Sequence, residues 1–250
     1  MTARRSRNGP MIAIFCALEE EIRDIKKRVR MHRTSPFQGC RIWQGRYGRR
    51  ESLLVLTGVG KEKAEKAAAW VLSRYPVEVV ISTGFAGALN GRTEAGDIIV
   101  YTRLQSVEGQ VNGDADLVLQ ASNCPTGSRA QLIGGVGVSI GDVCATAESK
   151  HRLGREFGAD SVDMESYWIG RMAAGKGIPF LGVRVIFDAV RDDLTCMGQV
   201  TSGGKVVLSK VMKYVVFHSG RLKDLAHLYR NYRKAAQSLA RFLDQLMVKI

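Results

Sequence analysis

The stretch VEVVISTGFAGAL at residues 77–89 decides the fold class. Its first half, VEVVIS (77–82), is an apolar, β-branched run, the pattern of a strand covered on both faces. Its second half, GFAGA (84–88), holds two glycines and reads as a tight turn at the carboxyl end of that strand. Immediately upstream, the Gly58-Val59-Gly60 segment leads into an Ala-rich helical stretch at 61–75 that Pro76 ends. Downstream, GDIIVYTR (96–103) is a second strand. A strand, a helix and another strand in close succession imply an α/β sheet, and the pattern extends in both directions.

Toward the amino end, MIAIFCA (11–17) is another strand buried on both faces, and residues 19–31 place Ile22, Ile25 and Val29 on one helical stripe. Residues 40–47 and 52–57 read as a hairpin around Gly48. Toward the carboxyl end, the segment 106–130 is weakly patterned, with one short helix near 114–121. Helices follow at 146–157 and 165–175, with strands at 161–164 and 179–187. Beyond a polar loop at 191–204, two more helices are expected, at 205–217 and 221–247. The expectation is a basic tail over 1–10 and one α/β domain over 11–250, built on a mixed, mainly parallel sheet flanked by helices. Residues 205–250 form a helical extension of that domain.

Composition excludes several classes. The 250 residues are 45% hydrophobic and 24% charged, a globular mixture with no case for a disordered or fibrous chain. Five cysteines without a CxxC pair and four histidines in no ligand-spaced cluster argue against a disulfide scaffold or a metal site and favour a reducing, cytoplasmic setting. Arg4, Arg5 and Arg7 before the apolar run at 11–18 imitate a signal peptide, but the run stops in Glu19-Glu20-Glu21 without a small-residue cleavage site. The net charge of +13 is uneven: residues 1–50 carry +9, residues 201–250 carry +8 and the middle 150 carry −4. Basicity on the flanks of an acidic centre demotes nucleic acid as a partner.

In such sheets ligands bind outside the carboxyl ends of the strands. Four strand ends carry polar or glycine-rich residues: Glu19-Glu20-Glu21, the turn at 84–88, Asp163-Met164-Glu165, and Asp188 after the strand that contains Arg184. Taken singly, each has a bland explanation, since acids commonly open helices and glycines commonly make turns. Two are harder to dismiss. Asp163 and Glu165, beside a strand that leads into a helix, are well placed to grip vicinal hydroxyls, and Arg184 within an apolar strand demands an acidic partner. Carboxylates and an arginine at converging strand ends suit a reaction with a cationic transition state, such as cleavage of an N-glycosidic bond.

The ordered set ALEEEI (17–22), TGVGKEKA (57–64), STGFAGAL (82–89), GDIIV (96–100), VDMES (162–166) and GVRVIFD (182–188) resembles the 5′-methylthioadenosine/S-adenosylhomocysteine nucleosidases and their purine nucleoside phosphorylase relatives. The resemblance covers about 11–190, and VDMES with the long basic C-terminal segment is most similar to the hopanoid-associated nucleoside phosphorylase group. It implies a nucleoside phosphorylase-like fold with two extra C-terminal helices, no cofactor, and phosphate only as a co-substrate if the enzyme is a phosphorylase. It implies Asp188 as the acid that protonates N7 of the purine, Glu21 as the base that orients water, and Arg184 near the nucleophile. Glu165 would bind the ribose hydroxyls, with Met164 beside the sugar. Gly84 and Phe85 would lie in the turn near the nucleophile, and Cys144 and Ala145 in the segment (141–145) that reads the adenine edge.

Three departures stand out. The relatives usually have Ser where this chain has Phe85 and Phe187, and an aromatic base-stacking residue where it has Cys144. These changes remodel the pocket toward bulk and an apolar 5′ substituent. Glu19–Glu21 and Phe85 stand where a phosphorylase needs anion donors, which favours water as nucleophile. The expected activity is therefore release of adenine by hydrolysis. Phosphorolysis of the same bond, a weakened nucleoside-binding module and a basic nucleic-acid-binding protein are the competing readings. The relatives complete their pockets across subunits, so a homo-oligomer, dimer or larger, is expected. Residues 205–250, basic and amphipathic, raise the further expectation of a peripheral contact with an anionic membrane.

Overall fold

The computed structural model describes residues 9–37, 39–126, 130–192, 194, 201–202, 205–206 and 222–250, with side chains given outside 201–228. Twelve strands and six helices are present among them. In chain order they are β1 (Met11–Cys16), α1 (Glu19–Lys26), β2 (Val29–Phe37), β3 (Cys40–Tyr47), β4 (Arg50–Leu56), α2 (Lys61–Arg74), β5 (Val77–Ala88), β6 (Ile98–Ser106) and β7 (Gly109–Asn112). They continue with α3 (Ala115–Ser122), β8 (Leu132–Ser139), α4 (Ala147–Phe157), β9 (Ser161–Asp163), α5 (Ser166–Ala174), β10 (Phe180–Asp188), β11 (Thr201–Ser202), β12 (Lys205–Val206) and α6 (Leu222–Lys249).

The main sheet runs β10-β6-β8-β9-β5-β1-β4-β3-β2, and β10 also pairs with β5, which closes the first five strands into a ring. Pairings β1–β4, β1–β5, β5–β10, β6–β8 and β8–β9 are parallel, whereas β6–β10, β5–β9 and the β2–β3–β4 meander are antiparallel. The sheet is therefore mixed, with helices on both faces, in one α/β domain.

The apolar runs explain the layers. Along β1, Met11, Ala13 and Phe15 point to a core shared with Ala64, Ala67 and Val71 of α2 and with Trp168 and Ile169 of α5. Ile12, Ile14 and Cys16 point to the opposite core, with Ile22 and Ile25 of α1, Leu117 of α3 and Leu239, Phe242, Leu243 and Leu246 of α6. A strand whose alternate residues enter two cores must be apolar throughout, and each large side chain among them (Met11, Ile12, Ile14, Phe15) stabilises the fold by about 1.5–3 kcal/mol.

Several expectations change. The helix starting at residue 19 stops at Lys26, and residues 29–37 form β2 on the sheet edge. Val29 still reaches the core, but from a strand. The edge tolerates Pro36, which no central strand would. The GFAGA segment is no turn: β5 runs through it to Ala88, pairing with β10 on one side and β9 on the other. The strand β8 arises where the glycine-rich sequence carries no strand pattern. A helix over 205–217 is contradicted at its start, since Lys205–Val206 pairs with Thr201–Ser202 as a two-stranded ribbon. Residues 207–217 lie outside the described residues, as do 1–8 of the basic tail.

The apolar stripe of α6 is spent on the sheet, because Leu239 and Leu246 are fully buried. Leu222, Leu225 and Leu228 belong to the stretch without described side chains. A membrane contact through 205–250 would have to use residues other than Leu239 and Leu246. No helix among the described residues is long and apolar enough to cross a membrane.

Candidate active site

Strands β1, β5 and β10 are parallel neighbours, so the residues that follow or end them meet at one edge of the sheet. There, Glu21, Phe85, Met164, Glu165, Phe187 and Asp188 line one cleft, joined by Asp142, Val143 and Cys144 from the segment after β8. The cleft is open to solvent on one side, and its wall mixes these acids with apolar side chains such as Phe85, Met164 and Phe187. Seven of the sequence-derived site residues thus come together. Gly84, Ala145 and Arg184 do not line the cleft.

Glu21 shows how a helix start becomes a site. Glu19, Glu20 and Glu21 form the acidic first turn of α1, which suits the helix dipole. Only Glu21 turns inward and is buried. Its Oε2 accepts the backbone N–H of Ala17 (2.8 Å) and Leu18 (2.9 Å), and its Oε1 accepts that of Phe85 (2.8 Å). Burial pushes its carboxyl above the usual range, opposed by the Arg184 guanidinium and these three N–H groups. Gly84 lies directly beneath. A Cβ there would sit 2.5 Å from Glu21 Oε1, so this glycine gives the carboxylate room against the strand.

Arg184 has its acidic partner. Its Nε donates to Asp163 Oδ2 (3.0 Å), its NH2 group to Ser82 Oγ (3.2 Å) and its NH1 group to Val183 O (3.3 Å). Asp163 Oδ1 in turn accepts Ser139 Oγ (2.5 Å) and the N–H groups of Glu165 and Ser166 (3.0 Å each), which anchors the start of α5. Both oxygens of Asp163 are thus occupied by the protein, and the expected pair of hydroxyl-gripping acids reduces to Glu165. The Glu165 carboxylate accepts the N–H of Gly60 (2.8 Å), the residue that opens α2 with φ +98°. Burial first, then the neighbouring Asp163 charge, raises its pKa to about 8.

Asp188 ends β10, buried, with its carboxyl against Gly87 of β5, where a Cβ would come within 3.1 Å of Oδ2. Lys150 of α4, itself completely buried, brings Nζ to 2.5 Å from the same oxygen. The two form a buried ion pair. Burial raises the Asp188 carboxyl to about 6, against the pull of Lys150. On the apolar side, Phe85 stacks on Phe187 (centroids 5.9 Å apart), and Tyr232 of α6 meets Phe85 edge-on at 6.0 Å.

A family model described as the phosphorylase superfamily matches residues 11–200. The chain belongs to this superfamily. Among curated proteins, the 5′-methylthioadenosine/S-adenosylhomocysteine nucleosidase of Bacillus thuringiensis is 26% identical over 197 residues, covering 71% of this chain and 85% of that one. Among solved structures, the corresponding nucleosidase of Neisseria meningitidis, in complex with methylthio-immucillin-A, superposes with a TM-score of 0.76 at 20% identity, covering 96% of this chain and 99% of that one. Futalosine hydrolase of Helicobacter pylori gives 0.77 at 19% identity, covering 96% and 98%. At such identities the structural likeness speaks to the fold.

Two residues that do not line the cleft but contact side chains that do, Lys150 against Asp188 and Tyr232 against Phe85, have no signal in the sequence. Lys150 sits in AESKHRLGREF, where neighbouring His151, Arg152 and Arg155 are exposed and nothing marks one cation as buried. Tyr232 lies in the C-terminal helix, remote in sequence from every strand end. Among the described residues no cluster of three or more His, Cys, Asp or Glu side chains is arranged to hold a metal.

Proposed function

We propose that this phosphorylase-superfamily chain is a purine nucleosidase that releases adenine from an adenosine-type nucleoside with an apolar 5′ substituent. Asp188 donates a proton to N7 of the base, and the C1′–N9 bond breaks with its electron pair passing into the purine. Water attacks C1′ of the ribosyl cation, and Glu21 takes the water's proton. Glu165 holds the ribose hydroxyls beside Met164. Arg184 acts from behind the cleft, on Glu21 through its charge and on Glu165 through Asp163. Segment 141–145 faces the base, with Asp142, Val143 and Cys144 in the cleft wall. Ala145 contributes structurally, its carbonyl accepting the N–H of Leu194 at 2.8 Å.

The observation that carries this reading is a pair of buried carboxyls in unlike environments. Glu21 is held by three backbone N–H groups, whereas Asp188 faces a lysine and titrates near 6. Two acids whose surroundings set them apart are the usual basis for separate acid and base roles. Among the described residues the cleft wall offers water the Glu21 carboxylate and offers phosphate no Lys or Arg side chain. The reaction needs no cofactor. The aromatic pair Phe85–Phe187 and Met164 support an apolar 5′ group.

Methylthioadenosine, adenosylhomocysteine and adenosine, each incubated with and without phosphate, test the proposal through adenine release. Release without phosphate is expected, and Asp188→Asn should lower it by about 10²–10⁴-fold. Product that requires phosphate would assign a phosphorylase. Tight nucleoside binding without turnover would assign a binding module.

A further inference from the structure

Lys150 is completely buried on a helix whose other cations reach solvent. An ammonium taken out of water is costly unless its donors are satisfied. Here the satisfaction comes from one place: Nζ donates to the carbonyl oxygens of Ala189 (2.9 Å) and Asp192 (2.7 Å) and stands 2.5 Å from Asp188 Oδ2. All three partners lie at or just after the end of β10. Lys150 therefore ties the first turn of α4, capped by Thr146, to the segment that carries Asp188.

We propose that Lys150 is a positioning residue for the proton donor Asp188, pinning Oδ2 so that Oδ1 meets the base, and stabilising the carboxylate that remains once the proton has gone. The inference rests on the acid role given to Asp188 above. Its proton balance is simple. Asp188 passes its O–H proton to N7, the electrons of the C1′–N9 bond enter the purine, and Lys150 keeps its own proton throughout. Burial alone favours the neutral acid and would hold the proton too tightly, while the adjacent ammonium makes the conjugate base less costly.

The charged groups around Asp188 are few. Lys150 faces it from α4 and Asp192 from the segment after β10, while β5 presents only Gly87. Glu21 from α1, Asp142 from the segment after β8, and Asp163 and Glu165 at the start of α5 line the same cleft. Lys150 is the one cation among these described neighbours, so its loss should be visible in titration.

Lys150→Met tests the proposal through the pH profile of kcat/KM for adenine release from the best of the three nucleosides, with thermal unfolding measured in parallel. The alkaline limb, where Asp188 loses its proton, should move upward by roughly 1–3 units, with a lower plateau. Lys150→Arg, which retains a cation, should bring the limb back toward its wild-type position. If Lys150→Met does not fold, Lys150→Gln replaces it, since its amide can still donate to the two carbonyls but carries no charge. The same upward shift is expected. A folded neutral variant with an unmoved limb overturns the inference, because a merely structural lysine would lower stability without moving that limb. Asp188→Asn separates the two failures. If it retains more than about a tenth of the activity, the acid assignment falls; if it is inactive and the neutral variants show no shift, only the role of Lys150 falls.

Discussion

Gly84→Ala should disable Glu21 without touching it. The added Cβ would lie 2.5 Å from Oε1, 2.7 Å from Cδ and 2.9 Å from Oε2 of Glu21. Ordinary carbon contacts are about 3.5–4.0 Å, so the carboxylate must withdraw by about 1 Å. Its bonds to the N–H groups of Ala17, Leu18 and Phe85 start at 2.8–2.9 Å, and a retreat of that size takes at least one beyond hydrogen-bond range. A bond to a charged acceptor contributes about 1.5–3 kcal/mol, and a displacement of this size in a reacting group lowers rates by about 10²-fold. The backbone at φ +152° adds strain for any side chain. A stability cycle removes that contribution: urea unfolding of wild type, Gly84→Ala, Glu21→Ala and the double variant. Since Glu21→Ala vacates the space the new Cβ needs, the two changes should couple by about 0.5–3 kcal/mol in the relieving direction. Additivity within about 0.5 kcal/mol, together with wild-type adenine release from Gly84→Ala, would refute the reasoning.

Three further outcomes are expected. Arg184→Met leaves Asp163 buried without its cation and should cost about 3–5 kcal/mol in denaturant unfolding, and a loss below about 1 kcal/mol would contradict the pairing seen here. Glu165 titrates near 8 in the fold against 4.5 ordinarily, so its stabilising protonation is fully present below the ordinary value and is lost as pH rises through about 8. Glu165→Gln should therefore gain melting temperature relative to wild type between pH 5 and 9, and a difference independent of pH would remove the argument. The β6–β7 connection presents Val107 at 87% exposure and α3 presents Leu119 at 62%, apolar surface that a second subunit would cover. Sedimentation should report a dimer or larger, and a monomer at micromolar concentration would overturn the oligomer proposal.

What the sequence determined by itself is the layering. The uninterrupted apolar runs at β1, β5 and β10 have to be buried on both faces, and the helical stripe of Ile22 and Ile25 has to meet one of them, because no other arrangement removes those side chains from water. It also marked the strand ends where Glu21, Glu165 and Asp188 stand, and it demanded a partner for Arg184. The glycines went the other way. The sequence of β8 (LIGGVGVS) carries no strand signal of its own, and GFAGA has the composition of a turn, because glycine in isolation signals a break. In the fold these glycines make room for neighbours distant in sequence: a Cβ at Gly137 would meet the Tyr101 ring at 2.5 Å, one at Gly135 would meet Asp160 at 2.8 Å, and those at Gly84 and Gly87 would crowd Glu21 and Asp188. Only the tertiary structure decided these matters, along with the occupation of Asp163 by Arg184 and the burial of Lys150. Periodicity records how much of a segment leaves water, whereas the identity of the group that faces a charge or a glycine is set by residues brought together from remote parts of the chain, and no local pattern encodes that pairing.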